Sequence, residues 1–508
     1  MPVLLRPPTD LPTTGWDAWV PLPGTAGSAC DSLDPSRRQP APLDDAFAAI
    51  AADWLALGQR LSAEPSAGLA HAPACAGTIS DLGEMLAWTR LVDGWAAGER
   101  RVLCLCADPW LFRHLAGRPG VTATPPPPLR PIERKLALRG LLARLKAAGS
   151  VAAASLSCRA AAARVPPDAP VLLVYGHPAS RPDGFDAYFG ELMGGMPELH
   201  RVLHTDCPPA RANALGAGLH GWGSVLYAAT LPFRHWRPRH GDWLVRRAAA
   251  REGGTGTPAM LAWQRHCQQR FLDRVRPRVV AWPWENHAWE RDLVRTARCL
   301  GVRTLGCQHA TIGTLELNYA DGDFLPDAIA CSGPAGRDRL AGWGLPAERL
   351  WLGGAWRFPP MPRLAHDPDG PVFLALPVQR PVAAQMLAAA AASGRRFLVR
   401  EHPMTPVGFA QSPRLSRSPG PLAEAGVLSA VVFAATSVGL EAALGGLPVV
   451  RFLPDGVLAN DVLPPGLAVA ATDAAGLAEA LERAQPIACD AATVFTTVDP
   501  AAWRERLA

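Results

Sequence analysis

From Val372 onward, short apolar runs alternate with segments of helical period, and this alternation leaves the chain little choice of fold. The runs are Val372–Leu376, Phe397–Arg400, Val431–Ala434, Val449–Phe452 and Leu467–Ala470. Strands that alternate with helices call for right-handed crossovers and a parallel sheet. The block 278–354 repeats the pattern, with strands at Arg278–Trp282, Arg303–Cys307, Asp327–Cys331 and Leu350–Gly353. The Pro-rich stretch Trp356–Gly370 between the blocks has no apolar period and is the candidate hinge. The expected architecture is α/β, with two doubly wound Rossmann-like domains facing across a cleft. The expected division is 1–355 with helical elaborations at its N-terminal end, a hinge at 356–371, a second domain at 372–490 and a C-terminal tail or helix at 491–508.

At 508 residues the chain has room for two to four domains. A net charge of +5 is too small and too dispersed for nucleic-acid binding. Basic residues are almost all Arg, with Lys only at 135 and 146, so Arg at any one position says little. The 11 Cys show no CxxC pair and no zinc spacing, which suits a reducing compartment. The N-terminal MPVLLRPPTDLP has no basic leader and no long apolar core, so a cytoplasmic protein is expected. The stretch Val431–Leu453 is very apolar, but Glu441 and a Gly-Gly-Leu-Pro turn make it strand–helix–strand and not a membrane span.

The first half is less legible. Residues 1–40 are rich in Pro and Gly, with one short strand expected over Trp16–Leu22. Helices follow over Leu43–Leu61 and Leu82–Ala97, then a strand over Arg101–Ala107. After the spacer Pro125–Pro128 comes a helix over Ile132–Ala148. Val171–Tyr175 reads as a buried strand ending in Gly176-His177-Pro178.

In doubly wound sheets ligands bind beyond the carboxyl ends of the strands. Polar residues cluster at such ends. One run stops at Arg400-Glu401-His402-Pro403, and another at Thr436-Ser437, which opens a helix carrying Glu441. A helix start offers free N–H groups to an anion, the hydroxyls add donors, and Gly439 allows close approach of backbone. The same hydroxyls also read as a simple N-cap, with Glu441 as a first-turn acid. In the central block, Glu285 sits at a strand end among Trp282, Trp284 and Trp289. It reads equally as a general base in apolar surroundings or as a dipole-favoured acid at the next helix start. His309 is a second candidate base or ligand. Gln308, Asn286, Trp284 and Asp183 are candidate acceptor or support residues. No metal-ligand spacing is seen, and Asp321-Gly322-Asp323 falls in a loop.

The combination EHP…TSVGLEAALGGLPVV resembles the donor half of GT-B glycosyltransferases of bacterial surface polysaccharides. It is similar to the His-Pro and Ser-Ser signatures of capsule Kdo transferases, bacterial sialyltransferases and CDP-glycerol polymerases. The segments WPWENHAWERDL, LGVRTLGCQHATIG and LPDAIACSGPAGRDRLAGWGLPAERL resemble a family of surface-carbohydrate biosynthesis proteins. The resemblance covers roughly Arg278 to Ala470. It implies that Arg400, His402, Thr436, Ser437, Gly439 and Glu441 hold a nucleotide donor, cytidine-linked in these families, and that Glu285 or His309 serves catalysis. It also implies a glycan or lipid-linked acceptor and no cofactor or metal beyond the nucleotide-sugar substrate. Peripheral association with a membrane or with polysaccharide-assembly proteins would follow. Two departures stand out. Glu401 replaces a Pro beside the His-Pro, and the paired acid of sialyltransferase-like members is reduced to Asp183-Gly184. The alternatives are a CDP-alcohol phosphotransferase and an inactive GT-B scaffold that binds glycan or nucleotide.

Overall fold

A computed structural model describes residues 2–25, 27–62, 64, 66–239, 241–320, 324–358 and 361–508. Asp321-Gly322-Asp323 and part of the expected hinge lie outside the described residues. Three parallel sheets organise the chain, one more than the sequence suggests. The first holds β1 (Val3–Arg6), β2 (Ala18–Pro21), β3 (Val102–Leu105) and β4 (Val121–Ala123), in the order β2-β3-β1-β4. The helical elaboration expected at the N-terminus is therefore an α/β layer with its own core, in which Phe47, Trp54 and Trp88 pack under Val3 and Leu5. β1 is easily missed, because its apolar run is only Val3-Leu4-Leu5, wedged between Pro2 and Arg6-Pro7-Pro8.

The second sheet holds β5 (Val171–Val174), β6 (His200–Leu203), β7 (Ala217–Gly218), β8 (Val279–Pro283), β9 (Arg303–Cys307), β10 (Ala328–Cys331) and β11 (Leu350–Leu352). Its order is β11-β10-β9-β8-β5-β6-β7. The third holds β12 (Val372–Ala375), β13 (Phe397–Arg400), β14 (Leu415–Arg417), β15 (Ala430–Phe433), β16 (Val449–Phe452) and β17 (Ala470–Thr472), in the order β14-β13-β12-β15-β16-β17. The last strand begins where the sequence run Leu467–Ala470 was expected to end. Both sheets are doubly wound and Rossmann-like, as the alternation requires. Each reverses its direction of growth once, between β5 and β8 in one and between β12 and β15 in the other. Such switch points leave a crevice at the carboxyl ends of the strands.

The units are tied at several seams. Asp44 of the first accepts from Ala459 N at 2.7 Å and pairs with Arg451 of the third at 3.0 Å. Arg247, 2 % exposed, joins Asp81 at 2.7 Å and Asp108 at 2.8 Å, which anchors the helix Trp243–Gly253 to the first unit. The C-terminal tail crosses back to the second unit. Trp503 of the helix Pro500–Leu507 is buried against Phe189, Trp351 and Trp356, and its Nε1 donates to Gly353 O at 2.6 Å. Among the described residues no helix is long and apolar enough to cross a membrane.

Candidate active site

The crevice of the second sheet is built by the turn after β8. All five residues of β8 are buried, and Pro283 ends the strand. Trp284 N still donates to Cys307 O at 2.8 Å, and then the chain turns through Glu285, Asn286 and His287 into the helix Ala288–Leu300. Asn286 is left-handed at φ 57°, a conformation that Asn tolerates better than most L-residues. Glu290 holds it there. This fully buried carboxyl accepts from Trp282 Nε1 at 3.0 Å, Glu285 N at 3.0 Å and Asn286 N at 2.9 Å. Burial, and then the charge of Glu285, push the Glu290 carboxyl up to about 8. Asn286 Nδ2 donates to Asn318 O at 2.8 Å, and Asn318 Nδ2 donates to Glu285 O at 2.6 Å, which closes the turn from the other side.

The Glu285 side chain is thereby turned toward two imidazoles. Its carboxylate lies 3.4 Å from His287 Nδ1 and 3.6 Å from His309 Nε2. Burial holds His287 down to about 4 and lowers His309, so both rings are neutral bases near neutral pH. His309 meets Tyr188 edge-on at 5.3 Å, and the guanidinium of the exposed Arg357 lies over the Tyr188 ring, 5.3 Å from its centroid. Behind them His204 stacks on Tyr175 at 4.5 Å and meets Trp289 at 4.5 Å. Oxygen and nitrogen atoms of Glu285, His287 and Glu290 lie within 4.8 Å of one another, close enough to hold a cation. Glu290, however, already accepts three N–H bonds and sits raised toward its protonated form, so the set is better fitted to holding protons.

The neighbouring candidates divide sharply. Gln308 is buried and spent on structure: its side chain accepts from Ser332 N at 3.1 Å and donates to Ala310 O at 3.0 Å, pinning the end of β9 to β10. Trp284, expected at the acceptor, is fully buried against Tyr319, and Trp289 is 5 % exposed, so neither offers a face to a sugar. Asp183 is exposed and paired with Arg181 at 3.0 Å. Glu290, Tyr188 and Arg357 were not singled out from sequence. The Glu285-to-Glu290 interval looks like an ordinary first-turn acid, and Arg357 falls in a stretch with no period.

The crevice of the third sheet gathers the other set. Arg400 and His402 follow β13, and Thr436, Ser437, Gly439 and Glu441 follow β15, with β12 between. Two strand spacings put the groups roughly 10 Å apart at one sheet end. Arg400 is exposed, and His402 is partly buried and lowered by that burial. Glu401 does not crowd His402. It accepts from Val407 N at 3.0 Å and Gly408 N at 2.7 Å and pairs with Arg417, so it fastens its own loop. Ser437 makes no cap; its hydroxyl donates to Glu441 at 3.2 Å, and burial raises the Glu441 carboxyl. Gly439 serves packing and not ligand approach, since a Cβ there would lie 2.6 Å from the Phe433 ring. Ala435, just before the hydroxyls, is left-handed at φ 48°. Between the second and third units, Gln308, Gly336 and Arg339 face Leu440 and Val462 across a narrow cavity of about 20 Å³, which neither the Glu285 group nor His402, Thr436 and Ser437 line.

No protein-family model matches the chain, and no curated protein does. Among solved structures it is similar to the UDP-GlcNAc 2-epimerase of Methanocaldococcus jannaschii in complex with UDP-GlcNAc and UDP, at 10 % identity and TM-score 0.40, over 66 % of this chain and 98 % of that one. It is also similar to the lipopolysaccharide outer core galactosyltransferase WaaB, at 9 % identity and TM-score 0.33, over 61 % and 88 % of the two chains. A third is Anabaena Alr3699/HepE in complex with UDP and glucose, at 11 % identity and TM-score 0.32, over 62 % and 89 %. Likeness at this distance assigns no activity, and the functional reading rests on the residues of the two crevices.

Proposed function

We propose that the protein is a glycosyltransferase that moves a sugar from a nucleotide donor, cytidine-linked by resemblance, to a glycan or lipid-linked acceptor in surface-polysaccharide assembly. The observation that carries this reading is that two doubly wound sheets of one chain each gather polar side chains at a switch-point crevice. One presents a carboxylate between neutral imidazoles, and the other presents hydroxyls and a His-Pro. The donor phosphate lies at the third sheet, where His402, Thr436 and Ser437 offer hydrogen-bond donors and Arg400 offers charge. The acceptor hydroxyl lies at Glu285. Its oxygen forms the new bond to the anomeric carbon as the bond from that carbon to the phosphate oxygen breaks. The hydroxyl proton passes to Glu285, with His309 holding the carboxylate in place. The phosphate leaves with the electron pair, met by the donors of the third sheet and by Arg357.

Thermal shift with CMP, CDP, UDP and GDP tests the donor site. CMP or CDP should raise the melting temperature most. Stabilisation by UDP or GDP alone removes the cytidine assignment, and stabilisation by none removes the donor site. Product analysis then separates sugar transfer, which releases the nucleotide with all its phosphates, from transfer of a phosphoalcohol, which leaves one phosphate on the acceptor.

A further inference from the structure

The helix expected over Ile132–Ala148 runs instead from Arg130 to Ala162, 33 residues and roughly 50 Å, because nothing breaks it before Pro166-Pro167. Its sidedness is inverted. The face against the protein is mostly small residues, Gly140, Ala154, Ser155, Cys158 and Ala162, with Val151 and with Arg144, whose guanidinium is spent on Pro232 O at 2.9 Å and on Gly253 O. Close approach demands this: a Cβ on Gly140 would overlap the carbonyl of Gly253. The large residues point outward. Leu138, Leu142, Leu145 and Leu156 are 62, 59, 50 and 60 % exposed, and their spacing of four, three and eleven puts them on one stripe. Leu141 and the 70 % exposed Phe233 line a groove beside it. Arg134, Lys135 and Lys146 are exposed on and beside the stripe, and they include both lysines of the chain. Arg234 and Arg237 extend the charge past Phe233, and the helix carries one acid, Glu133.

We propose that this face is a docking surface for an anionic lipid membrane, with the leucines and Phe233 entering the headgroup boundary and the cations meeting lipid phosphates. The pattern favours that occupant over others. Two copies packed stripe to stripe would bring like charges together with only Glu133 to offset them. Nucleic acid would gain nothing from four exposed leucines. The surface is independent of the cleft chemistry, and its test does not require activity.

Flotation of the full-length protein with phosphatidylglycerol–phosphatidylcholine vesicles, and with phosphatidylcholine vesicles alone, reads the proposal directly. The wild type should float with the anionic vesicles and remain behind with the neutral ones. The triple variant L138E/L142E/L145E, whose altered residues contact solvent, should keep its melting temperature and lose at least about tenfold in bound fraction. K135E/K146E should lose binding and salt sensitivity together. The proposal fails if the wild type ignores anionic vesicles, binds neutral ones equally, or floats undiminished in the leucine variant. It fails equally if sedimentation shows that the leucine face joins two copies in solution.

Discussion

Glu285 and Glu290 stand five positions apart in one turn and have opposite environments. Glu290 is sealed behind the turn with three N–H donors, and Glu285 is a third exposed and faces two imidazoles. The buried carboxyl shapes the turn, and the open one is placed to accept a proton. Glu285→Gln should therefore lower turnover by about 10²- to 10⁴-fold, the usual range for a general base, while nucleotide binding measured by calorimetry stays unchanged. Normal turnover in that variant would remove Glu285 from the chemistry. The pH profile adds a separate check. Burial lowers His309, so it stays neutral to more acidic pH than an ordinary histidine. Protonated, it would tighten on Glu285 and occupy the lone pair the acceptor needs. Turnover should accordingly hold steady down through the ordinary histidine range and fall only at lower pH. In His309→Gln that acid limb should vanish or move.

At the scale of elements, the two strand-to-helix turns at the switch points of the second and third sheets share a device. Asn286 and Ala435 are both non-glycine residues held left-handed where a strand ends at a switch point. Ala435→Gly should relieve the strain and stabilise the protein by about 0.5–1 kcal/mol in urea unfolding. Gly439→Ala should do the reverse by about 1–3 kcal/mol, because its Cβ would drive into the Phe433 ring. If Gly439→Ala were harmless to stability but abolished nucleotide binding, the glycine would belong to the ligand and not to the core. These turns also show what the sequence could reveal. The strands β8, β9, β12, β13, β15 and β16 were legible because each is a continuous apolar run bounded by polar residues. Their order then put Glu285, His309, His402 and Ser437 at carboxyl ends. Side-chain commitments were not legible. Gln308, Trp284 and Glu401 look as functional as their neighbours in sequence, and only geometry shows them spent on strand pinning, core and loop. Only the first half of the long helix Arg130–Ala162 is legible, because its Ala- and Ser-rich second half has no apolar period to follow; small residues make up most of its packing face.

For the whole molecule, the seams between units carry buried carboxyls whose protonation should set how firmly the units hold together. Glu252 accepts from His71 N at 2.8 Å and Ala72 N at 2.6 Å, joining the helix Trp243–Gly253 to the first unit. Glu316 lies on the loop that meets the third unit, where Leu315 N donates to Asn460 Oδ1 at 2.9 Å. Burial pushes both Glu252 and Glu316 up to about 7, and Glu290 to about 8. A carboxyl raised on folding binds its proton more tightly in the folded state. Its stabilisation is complete below the unfolded value near 4.5 and is lost as pH rises through 7 to 8. Buried histidines act in the opposite sense. His71 and His287 are lowered to about 4 and His204 to about 3, so their contribution is complete above the unfolded value near 6.5 and is lost as pH falls. Below pH 6.5 the two sets oppose each other; above it only the carboxyls still titrate. The melting temperature should therefore decline between about pH 6.5 and 8.5. Glu252→Gln and Glu316→Gln should each flatten that decline, since an amide keeps the acceptor oxygen without the charge. A melting temperature that is level or rising across this interval would mean that these carboxyls ionise without cost and that the seams are held by other contacts, chiefly Arg247 with Asp81 and Asp108 and Arg451 with Asp44.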